Sequence, residues 1–241
     1  MTKSAIFLFF TSLTLSLIGI FVLYESSTYA AQLAIGDKYY FVKNQAVWFV
    51  LGIVLCLVVS RINYKNYYKL ALPLLLVTLL LLVLVFLPGL GLKLKGAYRW
   101  IDLGFIVLQP SEILKITLTI YLAAWLSAKE KGRLVAFLML LLLAVFLVVI
   151  EPDLGTAFIV AATSTIVYFL SGAPIRDMIM ITILSAGSLF ALIKVAPYRL
   201  ERLLAFQNFD SKNLSSAPYH IKQILIALGS GGLFGLGFGN S

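Results

Sequence analysis

Seven predominantly apolar runs, set off from one another by polar, Pro- or Gly-bearing breaks, leave this chain few ways to fold. They are Ala5–Leu23, Lys43–Ser60, Leu70–Leu87, Pro110–Ser127, Leu134–Ile150, Leu154–Ser171 and Met178–Ala196. Each is long enough to cross roughly 30 Å of hydrocarbon, which takes about 17 to 25 helical residues. Lipid offers free backbone groups no partner, so each span must be a helix. Composition agrees: 61% of the 241 residues are hydrophobic, 12% are charged and the mean hydropathy is +1.02. That is more apolar surface than a soluble core of this size needs. The expected fold class is therefore an all-α polytopic membrane protein.

The first run lacks an Ala-x-Ala cleavage signature and reads as a retained span, not a removed leader. Residues 5–196 would then hold seven transmembrane helices, and 197–241 an interfacial or extramembrane segment. Its apolar stretch Ile221–Leu228 is too short to span. There is no soluble domain, fixed-period repeat or low-complexity linker. The single Cys56 forms no intrachain disulfide and reads as a small apolar packing residue.

Basic residues in short loops set the orientation. With the N terminus cytoplasmic, the inner turns hold Lys3, Arg61, Lys65, Lys69, Lys129, Lys131, Arg133 and Arg176, which is eight against six in the short outer loops before Pro197. The outer face then carries ten basic residues, including Lys93, Lys95, Arg99, Arg199 and Arg202, against seven acids. Such a surface suits an anionic ligand, with Arg the better fork for phosphate oxygens. Contact with lipid headgroups is the plainer alternative for any single Lys.

Three constellations could carry chemistry. Gly96 to Lys115 reads Gly-Ala-Tyr-Arg-Trp-Ile-Asp-Leu-Gly-Phe-Ile-Val-Leu-Gln-Pro-Ser-Glu-Ile-Leu-Lys, and it sets Arg99, Trp100, Asp102, Gln109, Ser111, Glu112 and Lys115 at the mouth of the fourth span. Pro110 suits the first helical position, and a helix start favours anions. A Lys inside an apolar span needs a partner, and Glu112 lies three residues away. A structural ion pair is the alternative to a ligand site there. Glu151-Pro152-Asp153-Leu154-Gly155-Thr156 opens the sixth span in the same way, with Gly155 allowing close backbone approach. Under alternating topology the two polar starts share one face and one depth. Capping accounts for Asp153, but less well for Glu151.

Tyr198, Arg199 and Arg202 lie on an amphipathic stretch after the seventh span. A glycine-rich end follows, Gly229 to Gly239, whose Gly231, Gly232, Gly235 and Gly239 permit close approach to a ligand. It lacks the Lys-Ser/Thr ending of a P-loop. His220 is the only histidine and forms no metal motif, so interfacial packing is its better reading. No metal or cofactor is identified; a divalent cation is neither indicated nor excluded. No nucleic-acid module is present.

In this order, Gly96–Lys115, Glu151–Thr156, and Tyr198–Phe206 through Gly239-Asn240-Ser241 resemble the blocks of the SEDS family (FtsW, RodA, SpoVE), and the likeness runs over the whole chain, 1–241. Tyr198-Arg-Leu-Glu-Arg202 and the terminal Gly-Phe-Gly-Asn-Ser are closer to the FtsW branch. The resemblance implies one ten-helix membrane domain, with 197–241 the start of a large extracytoplasmic loop. It implies a peptidoglycan glycosyltransferase that polymerises lipid II on the outer face of the bacterial cytoplasmic membrane. A class B penicillin-binding protein would be its partner, and membrane lipids its surroundings. Arg99, Trp100, Gln109, Ser111, Glu112, Lys115, Glu151, Asp153, Thr156, Tyr198, Arg199, Arg202, Gln223 and Ser230 would contact substrate.

Two departures stand out. Ala217-Pro-Tyr219 followed by Gln223-Ile224 loses the Gly and Ser of the family's Gly-Tyr-x-x-x-Gln-Ser. The family's proposed catalytic Asp falls beyond Ser241, so the resemblance implies a C-terminally truncated chain, inactive alone, and assigns it no catalytic residue. A lipid II flippase would use the same half-helix starts and intramembrane charges. A non-catalytic division scaffold would leave Glu112 and Lys115, read as buried, without a purpose.

Overall fold

The structure is a computed structural model that describes residues 3–94, 96–104, 106–128, 132–195, 219–232, 235 and 237. All seven expected spans are helices: α1 (Lys3–Ile35), α2 (Tyr40–Arg61), α3 (Tyr64–Leu84), α4 (Pro110–Leu126), α5 (Leu134–Ile150), α6 (Leu154–Leu170) and α7 (Ile175–Val195). An eighth, α8 (Tyr219–Gly231), covers 13 residues, about 20 Å and too short to span. α1, α2 and α3 are long and apolar enough to cross a membrane on length and composition. α5 and α6 are apolar helices of 17 residues, about 25 Å each.

The chain divides into two compact units. The first comprises residues 1–62 and 197–241, and in it α1 packs on α2. α1 runs 12 residues past the expected end at Leu23, because nothing between Tyr24 and Ile35 breaks a helix. Gly36 ends it in a left-handed conformation (φ +80°), its N–H donating 3.1 Å to the Gln32 carbonyl. Asp37 then accepts from the Tyr39 N–H at 2.9 Å and the Lys43 ammonium at 2.7 Å, which lowers its pKa. Cys56 is exposed on α2 and so is not the packing residue expected.

The second unit, 63–196, holds the core. α4 buries one stripe: Pro110, Ser111, Leu114, Thr117, Leu118, Leu122 and Leu126, spaced three and four apart. It packs on Ala71, Leu75, Thr78 and Leu82 of α3 and on α6, whose Ala157, Val160 and Ser164 keep that contact face small. Small side chains let helices approach closely, and close packing drives helix association where lipid is as apolar as leucine. α5 presents Phe137, Leu141, Ala144 and Val148 to α6, with the Phe137 and Tyr168 rings stacked 4.4 Å apart.

One small sheet accompanies the helices. Between α3 and α4 the chain forms a three-stranded antiparallel sheet, β1 (Gly91–Leu94), β2 (Ala97–Asp102) and β3 (Val107–Leu108), in the order β1-β2-β3. Gly96 (φ +83°) makes the first turn possible. Asp102 organises the second by accepting from the Gly104 N–H at 2.8 Å. The register steps from Leu92↔Trp100 to Lys93↔Tyr98, leaving Arg99 as the extra residue of a bulge.

Candidate functional site

β2 buries Ala97 and Ile101, and the bulge between them leaves Arg99 half-buried. From the bulge Arg99 reaches the turn joining α5 to α6. Its Nε donates 2.7 Å to the Glu151 carbonyl, and a terminal nitrogen donates to the Pro152 carbonyl. Carbonyls at a helix C-terminus lack intrahelical partners and carry negative partial charge, so a guanidinium fits there.

The same turn supplies the cap of α6. Asp153 accepts from the Thr156 N–H at 3.1 Å with Oδ1 and from the Thr156 hydroxyl at 2.9 Å with Oδ2. Capping therefore explains Asp153, as its position predicted. The start of α4 joins in: Gln109 Nε2 donates to Ser111 Oγ at 3.1 Å and to Asp153 Oδ2 at 3.4 Å. The polar starts of α4 and α6 thus meet directly, and β2 is tied to the turn beside them. Gln109, Ser111, Glu151, Asp153, Thr156 and Arg99 form one junction. Trp100 lies half-buried on the strand beside it.

Glu151 is the anomaly. Its side chain is 0% exposed, and among the described residues neither carboxyl oxygen has a hydrogen-bond partner. Burial, reinforced by the Asp153 charge and opposed by Arg99, raises its pKa from 4.5 to about 8. Below pH 4.5 folded and unfolded chains both hold the proton. Between 4.5 and about 8 only the folded chain does, so stability falls as pH rises and levels off above that range. Glu151→Gln is therefore expected to match the parent's melting temperature in acid and to gain on it up to pH 8, by up to roughly 4 kcal/mol. Thermal scans across pH in detergent check this; parallel profiles would contradict it.

Other expected site residues fall elsewhere. Lys115 pairs with Glu112 at 2.7 Å along α4, but Glu112 is 55% exposed, so the pair is not buried as expected. The cause is helical phase: Ser111 and Leu114 hold the packed stripe, which turns Glu112 off it. A Cβ on Gly155 would meet only Asp153 Oδ1, at 3.7 Å, so no tight backbone approach requires glycine there. Gln223 and Ser230 are exposed on α8. Gly231 ends that helix, and Gly232 (φ +54°) and Gly235 (φ +74°) are left-handed beyond it. Tyr198, Arg199, Arg202, Gly239 and the His220 side chain lie outside the described residues. Among the described residues no cluster of His, Cys, Asp and Glu could hold a metal ion.

Sequence reasoning missed the backbone partners of Arg99. No periodic signal marks them, because the bulge at Arg99 breaks the alternation of an already short strand.

Fold and site together define a polytopic helical membrane protein whose polar end joins two Pro-led helix starts through an arginine on a short sheet. The chain belongs to the FtsW/RodA/SpoVE family, described as cell cycle protein, which matches residues 5–241. It is 38% identical over 240 residues to the probable peptidoglycan glycosyltransferase FtsW of Coxiella burnetii, covering 95% of this chain and 63% of that protein. It is 30% identical over 246 residues to the stage V sporulation protein E of Bacillus subtilis, covering 67% of that protein. The chain thus spans about two thirds of the length of these relatives.

Two solved structures are similar. One, described as structural coordination of polymerization and crosslinking by a peptidoglycan synthase complex, matches with a TM-score of 0.70 and 27% identity, over 92% of this chain and 66% of that one. The rod shape determining protein RodA of Thermus thermophilus matches with a TM-score of 0.59 and 28% identity, over 76% of this chain and 58% of that one.

Proposed function

We propose that this chain forms the substrate-holding membrane part of a peptidoglycan glycosyltransferase that polymerises lipid II on the outer face of the bacterial cytoplasmic membrane. The N terminus is cytoplasmic in this reading, and the α4–α6 junction faces outward. The observation that carries it is that junction: two Pro-led helix starts meet through Gln109 and Asp153, with Arg99 beside them, in a chain whose relatives bear that activity in their names. Helix starts concentrate positive partial charge, which a pyrophosphate-linked substrate would meet. Lys115, on the first turns of α4, adds to that attraction.

In this reading the junction holds and orients the lipid-linked disaccharide, while the acceptor hydroxyl is deprotonated by a group assigned to none of the residues here. A class B penicillin-binding protein would supply crosslinking. The protein expressed from its native locus, reconstituted with such a partner and labelled lipid II, should yield long glycan strands on a gel. Translocation of lipid II with no polymer would overturn the reading in favour of a transporter.

A further inference from the structure

A fully enclosed carboxyl whose two oxygens have no partner among the described residues contributes no contact that holds the fold. Glu151 is such a group. The charged groups whose fields reach it are Arg99 on β2, which is attractive, and Asp153 in its own turn, which is repulsive. Across the junction Glu112 and Lys115 of α4 answer each other. Arg99 already sits on the backbone carbonyl of residue 151, so a small swing of one side chain would carry its guanidinium to the carboxyl of the same residue.

Two arrangements are therefore open to one arginine. With Glu151 neutral, Arg99 does best on the two carbonyls that end α5, as observed. With Glu151 ionised, a buried carboxylate without a partner is far the costlier group, and the guanidinium answers it first.

We propose that Glu151 is a proton-binding site that latches the α5–α6 turn to the sheet: its proton keeps Arg99 on the two carbonyls, and loss of that proton to water draws Arg99 onto the carboxylate and frees the turn. The turn also carries Asp153, so release loosens the bond from Gln109 and the meeting of α4 with α6. The proposal does not depend on the activity proposed above.

Two signals test it in the intact chain in detergent. Infrared difference spectra at pH 6, parent minus Glu151→Gln, should contain one protonated carboxyl band, titrating away near pH 8. With Trp48→Phe and Trp125→Phe, Trp100 is the sole tryptophan and reports on the strand residue next to Arg99. Its emission should shift with the same midpoint, and that shift should vanish in Glu151→Gln. Should Glu151→Gln fold poorly, Asp153→Asn removes the repelling charge and should move both midpoints to lower pH. A carboxylate at pH 6, a Trp100 transition unchanged by Glu151→Gln, or midpoints unmoved by Asp153→Asn would each overturn the latch.

Discussion

Arg99→Ala is expected to lower stability by about 3 to 5 kcal/mol, because it removes two charge-assisted hydrogen bonds at a partly buried site. It also leaves the Glu151 and Pro152 carbonyls to find other donors at the end of α5. Arg99→Lys should recover less than half of the loss, since a single ammonium on a flexible stem cannot reproduce the fork across two carbonyls. Melting temperature and monodisperse yield in detergent measure both. An Arg99→Ala protein as stable as the parent would show that the guanidinium serves a ligand alone and not the junction.

Gly91→Ala should be at least as damaging, at about 4 kcal/mol or more. A Cβ on Gly91 would lie 1.8 Å from the Val85 carbonyl oxygen and 2.9 Å from its carbon. Both are backbone atoms and cannot turn aside. The chain must fold back here after α3 to begin β1, with the Gly91 N–H donating to the Leu87 carbonyl at 3.2 Å. Relief would therefore displace the strand that aligns β2 and Arg99. Gly52→Ala, inside α2 where nothing lies within 4 Å of the new methyl, is the control and should leave stability unchanged or raise it by up to about 1 kcal/mol. Equal melting of the two variants would contradict the close approach.

How much could be read from the residues alone follows from the physics of each segment. Lipid permits one backbone solution over long apolar runs, so Pro110, Leu134 and Leu154 mark helix starts in sequence and in structure alike. The pairing of the polar starts of α4 and α6 was legible for the same reason, because alternate spans begin on one side. The sheet was not, since its strands are only two to six residues long and broken by Gly96 and Gly104. Charge in a sequence says nothing of what it touches: Arg99 looked like a phosphate fork, yet its contacts are carbonyls 52 and 53 residues away. Helical phase could have shown Glu112 off the packed stripe, had its position been measured against Ser111 and Leu114.

The central claim, that the junction beside Arg99 is where the lipid-linked disaccharide sits, is tested most directly by photocrosslinking. A benzophenone side chain in place of Trp100 keeps an aromatic group beside the junction. One at Leu170, exposed at the opposite end of α6, serves as the control. The account predicts an adduct with labelled lipid II at position 100, competed away by unlabelled lipid II, and none at 170. No adduct at 100, or equal labelling at both positions, would contradict it.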